Sequence, residues 1–208
     1  MKVMQILLPV CAMNCYLAIN DETNESIIVD PGSSPDRIKA GVEKSGTTPV
    51  AILLTHGHFD HAGVSEEIAE FYGVKIYAHE AERETLENPS INLSADMIFR
   101  PASYHADVYL KDDQQMELAG LTFKCIFTPG HTPGGCCFYF ENEGVLFTGD
   151  TLFCQSVGRT DFPGGSASAL VNSIKKKLLV LPEDTICYPG HESATSIGFE
   201  KDNNMFLF

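Results

Sequence analysis

The sequence concentrates potential metal ligands in one short segment. Directly after an apolar run at residues 50–54, four such side chains fall within six residues: His56, His58, Asp60 and His61. No ordinary core or surface requires that density of imidazole and carboxylate groups, whereas a divalent metal ion does. In an extended chain His56 and His58 point to the same side and can chelate one ion. Asp60 and His61 lie further along and can reach a second ion.

Three more candidate ligands follow other predicted strands, each directly after a glycine: His131, Asp150 and His191. Loops at strand ends are where a rigid scaffold positions chemistry, and glycine permits the sharp turns that a Cβ would obstruct. A lone histidine or aspartate in such a loop is usually a turn or capping residue, but five of the seven histidines share this placement. Five histidines and two carboxylates suit two divalent ions that share Asp150 as a bridge. Nitrogen and oxygen donors favour zinc, with iron and manganese as alternatives.

The remaining histidines, His79 and His105, lie outside this pattern, and we expect a structural or exposed role for both.

Hydrophobic patterning predicts alternating strands and helices. Residues 90–115 have a weak pattern and predict a long connection with some short strand. We predict helices at residues 36–45, 65–72, 80–87 and 166–180, and strands at residues 4–8, 16–19, 26–30, 50–54, 74–78, 121–127, 136–140, 145–148 and 185–188.

The order of strands, ligand-bearing loop and helix occurs twice along the chain, which predicts two similar halves. Such halves would form an α/β layered sandwich, with two sheets inside and helices outside. No linker rich in proline, glycine or serine divides the sequence, so we expect a single domain over residues 1–208.

The charge composition of the sequence indicates which classes of binding partner are unfavourable. The formal net charge is −14, and such a surface repels both a nucleic-acid backbone and an anionic membrane. No apolar run approaches the roughly 18 residues of a spanning helix, and no cleavage site follows the N-terminal segment. We therefore expect a small-molecule substrate, and neither nucleic acid nor membrane. Nothing in the sequence specifies an oligomeric state.

The seven cysteines include no CxxC pair. A chain of this length does not need disulfides, so reduced thiols and a cytoplasmic location are the simpler expectation. Cys136 and Cys137 are adjacent in a predicted strand and should face opposite sides of a sheet.

The ligand set, His-x-His-x-Asp-His at residues 56–61 followed by His131, Asp150 and His191, resembles that of the metallo-β-lactamase superfamily. The strings at residues 128–134, 149–153 and 158–165 are similar to those of glyoxalase II-like hydrolases of the short bacterial type. This resemblance spans nearly the whole chain and implies a four-layer αβ/βα sandwich of two mixed β-sheets flanked by helices. It also implies that His56, His58 and His131 hold one ion, that Asp60, His61 and His191 hold the other, and that Asp150 bridges them.

The resemblance implies a metal-dependent thioester hydrolase acting on hydroxyacylglutathiones such as S-lactoylglutathione. In that mechanism a hydroxide bridging the two metals attacks the acyl carbonyl, Asp60 and Asp150 are the catalytic carboxylates, and Asp60 orients the hydroxide. Full-length glyoxalase II has a C-terminal helical region that helps bind glutathione, but here only residues 192–208 follow the last ligand. Glu192 stands where glycine is common and Gly135 where serine is common. These departures affect the expected substrate-binding region and leave the candidate metal ligands unchanged.

Arg159 is a candidate for substrate binding, because it follows shortly after Asp150 and could contact an anionic substrate. The alternative is that Arg159 pairs with Asp161 and orders its own loop. We favour the second interpretation, since a carboxylate lies so near in the sequence.

Other activities remain open at this point. A mononuclear iron persulfide dioxygenase, with His56, His131 and Asp150 as iron ligands, resembles the same family, and a lactonase or β-lactamase is a weaker alternative. A nuclease is disfavoured by the acidic charge. A flavin-linked di-iron oxidoreductase is disfavoured by His58, where such proteins usually have glutamate. A non-catalytic metal-binding module is disfavoured by the intact ligand set.

Overall fold

The computed structural model describes residues 1–207, and two six-stranded sheets form its centre. The first sheet pairs its strands in sequence order. Its first three strands are antiparallel, and the third to sixth run parallel. The strands are β1 (Lys2–Leu8), β2 (Met13–Asn20), β3 (Glu25–Val29), β4 (Thr48–Leu53), β5 (Lys75–His79) and β6 (Val108–Leu110).

The second half of the chain forms the other sheet. Its strands are β7 (Gln115–Leu118), β8 (Leu121–Phe127), β9 (Cys136–Phe140), β10 (Val145–Gly149), β13 (Ile186–Pro189) and β14 (Thr195–Ser196), and a separate ribbon is made of β11 (Leu152–Phe153) and β12 (Ser156–Val157). The order is β14-β13-β10-β9-β8-β7. Only β10 and β13 pair in parallel within it. Both sheets are therefore mixed, as expected.

Helices cover the two outer faces of the sheets. They are α1 (Pro35–Ser45), α2 (Phe59–Ala62), α3 (Ser65–Tyr72), α4 (Arg83–Glu87), α5 (Ser94–Met97), α6 (Ala167–Ser173) and α7 (Ile197–Asn203). Ile38 of α1 and Ile68 of α3 pack on the outer face of the first sheet, and Leu170 of α6 and Ile197 of α7 pack on the second. The four-layer αβ/βα sandwich is thus confirmed. Within residues 1–207, no helix combines the length and apolar character that crossing a bilayer requires.

Aromatic side chains fill the space between the sheets. Phe123, Phe138, Phe140 and Phe147 are buried there and contact one another with ring centroids 5.2–5.8 Å apart. Such ring pairs add to the stabilisation from buried area. They fix the separation of the two sheets, and with it the distance between the loops that each sheet carries.

The adjacent cysteines of β9 divide between two cores. Cys136 lies between the sheets, whereas Cys137 packs under α6 and α7. The expected opposite orientation is confirmed, and all seven cysteines are free thiols.

Most predicted elements occur, with shifted ends. The helix at residues 80–87 is a 3-10 turn, Glu80–Glu82, followed by α4, and the helix at 166–180 is α6 continued by a π-helical turn, Ile174–Leu178. Residues 90–115 contain α5 and β6. The elements α2, α5, β7, β11, β12, β14 and α7 were not predicted. Four of them are strands of two to four residues, too short for a periodic signal.

The packing between the sheets generates a stability prediction. Phe138→Ala is expected to lower the free energy of unfolding by about 3–5 kcal/mol, because it opens a cavity in a closed core. Chemical denaturation measures the change at equal metal content. Phe99→Ala, the same substitution at a side chain that is 83% exposed, should change it by less than about 0.5 kcal/mol. Equal effects of the two would contradict this assignment of the core.

Candidate metal centre

All seven predicted ligands meet at one edge of the sandwich. His56, His58, Asp60 and His61 follow β4, and the last two lie on α2, while His131, Asp150 and His191 follow β8, β10 and β13. The strands β8, β10 and β13 run in one direction, so their carboxyl ends lie at the same edge of the second sheet. Residues separated by more than 130 positions thereby share one site.

One donor group consists of three imidazoles. His58 Nδ1 lies 3.1 Å from His56 Nε2 and 3.0 Å from His131 Nε2. All three side chains are buried, and their donor atoms lie within 4.8 Å of one another. This spacing allows three nitrogen ligands to bind one ion.

A second donor group lies beside the first. Asp60, His61 and His191 place one donor atom each within 4.8 Å of one another. Asp150 lies between the groups, since its Oδ2 is 3.5 Å from His131 Nε2 and 3.6 Å from His191 Nε2, and its Oδ1 is 3.3 Å from His61 Nε2. A carboxylate in this position can face two ions at once.

The hydrogen bonds on the far side of three histidines decide which nitrogen faces the centre. The Nδ1 atoms of His61, His131 and His191 lie 2.9, 2.7 and 3.1 Å from Asp30 Oδ2, the Arg159 carbonyl and the Cys11 carbonyl. These partners can only accept, so each Nδ1 carries a proton, and in the neutral form that binds metals each Nε2 turns a lone pair inward.

Ring nitrogens and carboxylate oxygens therefore converge on the centre, and two of these atoms lack partners. Within residues 1–207, His61 Nε2 and Asp150 Oδ1 are buried and have no hydrogen-bond partner. Buried polar atoms are normally paired, and a divalent cation would satisfy such a cluster of acceptors. Imidazole nitrogens and carboxylate oxygens are ligands that divalent metals bind. The side chains present therefore fit the metal that the sequence predicts.

Burial and neighbouring charges set the protonation of the site. Burial, together with the adjacent imidazole of His131, lowers the pKa of His58 to about 3, and burial lowers the pKa of His56 well below its usual value. Both are therefore neutral at pH 7, the form that binds metals. Burial raises the pKa of Asp150, but the imidazoles of His61, His131 and His191 together outweigh burial and hold that pKa below the usual range.

Asp30 is a supporting residue that the sequence analysis missed. Its carboxylate is buried at the end of β3 and accepts hydrogen bonds from the Thr55 amide at 2.7 Å, the Thr55 hydroxyl at 2.6 Å and His61 Nδ1 at 2.9 Å. It therefore fixes both the start of the histidine-rich loop and one of its rings. An acidic residue at the end of a predicted strand, directly before Pro31-Gly32, was the signal that could have identified it.

Glu82 is a second supporting residue without a sequence signal. It lies in an acidic segment that reads as exposed helix, yet its side chain is buried. Oε1 accepts a hydrogen bond from the Gly57 amide at 2.8 Å, and Oε2 accepts one from the Thr132 hydroxyl at 3.0 Å. Glu82 thus joins the loop that carries His56 and His58 to the loop that carries His131.

Two glycines allow the loops to approach closely. A Cβ at Gly190 would lie 2.4 Å from His61 Cε1 and 2.6 Å from Asp150 Oδ1, and one at Gly32 would lie 1.4 Å from the Asp60 carbonyl oxygen. A side chain at either position would displace a candidate ligand.

The donor groups open into a cleft of about 340 Å³. Arg159 lines it, but Nε and Nη2 of its guanidinium bind the two oxygens of Asp161 at 2.8 and 2.7 Å, as the loop-ordering interpretation expected. Glu192 is exposed at the rim with a φ of 66°, a left-handed conformation that favours glycine.

The two histidines outside the motifs lie away from the donor groups. His79 is buried and stacks on Phe127 with ring centroids 4.3 Å apart, and His105 is exposed and pairs with Glu66. The expected structural and exposed roles fit these positions.

Comparison with known proteins places these features in a family. A profile of the metallo-beta-lactamase superfamily matches residues 8–191. The protein named hydroxyacylglutathione hydrolase GloC from Haemophilus influenzae is 38% identical over 209 residues, covering 97% of this chain and 96% of its own. The probable metallo-hydrolase YqgX of Bacillus subtilis is 36% identical over 195 residues, covering 93% and 92%.

Solved structures agree over nearly the whole chain. The BLEG-1 B3 metallo-beta-lactamase superposes with a TM-score of 0.94 at 40% identity, covering 99% of both chains. TTHA1623, solved in a di-iron-bound form, gives 0.84 at 34% identity and covers 98% of this chain and all of its own. ETHE1 from Myxococcus xanthus gives 0.82 at 27% identity and covers 99% and 84%.

The central carboxylate generates a metal-binding prediction. Asp150→Ala should weaken metal affinity by more than about 100-fold, because even the loss of an outer partner of a ligand costs roughly 10–100-fold. Elemental analysis after dialysis and competition with a chelating dye measure the loss. Asp202→Ala, at an exposed aspartate of α7, should retain wild-type metal content. Full metal content in the Asp150 variant would refute the assigned position.

Glu82 generates a prediction about pH. Burial raises its pKa from 4.5 to about 7, so between those values the folded protein holds a proton that the unfolded chain releases. Its contribution to stability is complete below about pH 4.5 and is lost as pH rises through about 7, an effect of about 3 kcal/mol. Glu82→Gln removes this titration.

Chemical denaturation of the chelated proteins at several pH values tests this. The stability of the Glu82→Gln variant relative to wild type should increase by about 3 kcal/mol from pH 4.5 to pH 7. Glu84→Gln, at an exposed position of α4, should show no such trend. A constant difference between Glu82→Gln and wild type would mean that Glu82 does not titrate in this range.

Proposed function

This chain belongs to the metallo-β-lactamase superfamily, and on that premise we propose that it is a metal-dependent hydrolase that cleaves small acyl thioesters. The observation that carries the proposal is the convergence of two donor groups, with Asp150 between them, at the floor of one cleft. The relative named hydroxyacylglutathione hydrolase supports a thioester. S-lactoylglutathione is accordingly the reference substrate.

We assign His56, His58 and His131 to one ion, and Asp60, His61 and His191 to the other. Asp150 would bridge the two, which its position between His131, His61 and His191 supports. Nitrogen and oxygen donors without a thiolate favour zinc. Iron is the principal alternative, since a similar protein was solved with two iron ions, and manganese suits the same donors.

Divalent ions bound there would supply Lewis acidity, which can lower the pKa of water from 15.7 to about 7 and offset the charge of an oxyanion. The chain's own residues would orient the attacking water and the metal ligands. Asp60 lines the cleft and would orient the attacking water through its carboxylate. Asp30 and the carbonyl groups of Cys11 and Arg159 hold three imidazoles in the tautomer that the site needs. No serine or cysteine nucleophile is required.

Persulfide oxidation at a single iron is the second candidate, with His56, His131 and Asp150 as ligands. His131 and Asp150 do lie 3.5 Å apart. Hydrolysis is favoured because the second donor group, made of Asp60, His61 and His191, would have no use in a site for one iron.

The test is thioester hydrolysis by the purified protein, followed as loss of thioester absorbance. Chelation should abolish turnover of S-lactoylglutathione, and added zinc, iron or manganese should restore it. Asp60→Asn should lower kcat by about 10²–10⁴-fold, the range for a group that acts on the proton of the nucleophile. Asp202→Asn serves as the matched control.

Two outcomes would overturn the proposal. Full turnover after complete metal removal would exclude metal-dependent hydrolysis. Oxygen uptake with glutathione persulfide, in the absence of any thioester hydrolysis, would establish the second candidate instead.

A further inference from the structure

The walls of the cleft differ in character from its floor. Resting on the proposed function, we propose that the preferred substrate is a thioester with an apolar acyl chain and an uncharged thiol portion. Side chains that line the same cleft, rather than the metal ligands, determine this preference.

Apolar side chains form the walls on several sides of the donor groups. Leu93 and Met97 come from the segment around α5, Phe153 and Val157 from the β11–β12 ribbon, and Phe162 from the loop after it. Met97 is 53% exposed although it lines the cleft. A substrate that covers these side chains removes apolar surface from water, which favours binding in proportion to the area buried.

Exposed apolar side chains continue along the chain from Met97, which lines the cleft. Ile98 and Phe99 directly follow Met97 and are also exposed, Phe99 by 83%. Single exposed apolar residues are common, but three in succession beside a reactive site indicate a surface that contacts a ligand. This surface would accommodate an acyl chain that extends past the cleft.

The charges of the cleft disfavour a substrate with free carboxylates. Among the described lining residues, Arg159 is the sole lysine or arginine. Two nitrogens of its guanidinium already bind Asp161, and the guanidinium carbon lies 4.0 Å from the centroid of the Phe162 ring. Glu192 adds a negative charge at the rim. Glutathione carries two carboxylates, which would meet Glu192 without a free cationic partner in the cleft walls.

The experiment compares four substrates that combine two acyl groups with two thiols. Lactoyl and hexanoyl thioesters of glutathione and of the uncharged thiol N-acetylcysteamine are tested with the metal-loaded protein. The kcat/KM for hexanoyl-N-acetylcysteamine should exceed that for S-lactoylglutathione by at least about tenfold, because several methylene groups are buried and the two carboxylates are removed.

Met97→Lys tests the wall directly. It should lower kcat/KM for hexanoyl-N-acetylcysteamine by about tenfold and raise it for S-lactoylglutathione by a few fold, because an apolar contact becomes a cation. Val180→Lys also replaces an exposed apolar residue but lies outside the cleft lining, and should leave both values unchanged. Circular dichroism and metal content verify that both variants are folded and loaded.

Each outcome bears on a different proposal. Equal or faster turnover of the glutathione thioesters would overturn the preference for an uncharged thiol portion while leaving thioester hydrolysis in place. Equal or faster turnover of the lactoyl thioesters would overturn the preference for an apolar acyl chain in the same way. Hydrolysis of none of the four would overturn the proposed function and this inference with it. An unchanged preference in a folded, loaded Met97→Lys variant would overturn the role of the α5 wall.

Discussion

The convergence of imidazole nitrogens and carboxylates is the constraint on which the rest of this structure depends. The Nε2 atoms of His61, His131 and His191 and the carboxylates of Asp60 and Asp150 point toward one small region. Within each donor group the ligand atoms lie within 4.8 Å of one another, and carboxylates held in a largely buried site are costly without a compensating positive charge. The fold holds them together through contacts outside the centre, and those contacts define a place for cations.

Different parts of the fold bring these groups together and hold them in place. The aromatic core between the sheets sets their separation, and the strand ends bring four loops to one edge. Asp30 and Glu82 then connect these loops through hydrogen bonds to Thr55, Gly57 and Thr132. Because each of these bonds is buried, the positions of the candidate ligands are coupled to the folded core.

Reactivity and selectivity have separate sources in this cleft. The charged floor comes from strand ends, which are rigid, whereas the apolar walls come from α5, the short ribbon and the loop that contains Phe162. Changes in those connecting segments can alter which substrate enters without disturbing the donor groups. The pairing of Arg159 with Asp161 fits this division, because it orders a wall and leaves the cleft without a free cation of its own.

Much of the fold and of the site could be predicted from the sequence, because both depend on local patterns. Continuous apolar runs marked the buried strands, and the spacing of His56, His58, Asp60 and His61 marked the site without any knowledge of the fold. Several of the elements that were missed, namely β11, β12 and β14, are strands of two residues. They exist through pairing with other segments, which no local pattern records.

The sequence by itself determined the chemistry, since the types and spacing of histidine and aspartate specify what can bind a divalent metal. Only the tertiary structure decided the supporting contacts and the character of the cleft. Glu82 lies in a segment whose pattern indicates an exposed helix, and it is buried because two loops distant in sequence close over it. The apolar walls likewise come from segments far apart in the chain, so their common surface exists only after the sheets have packed.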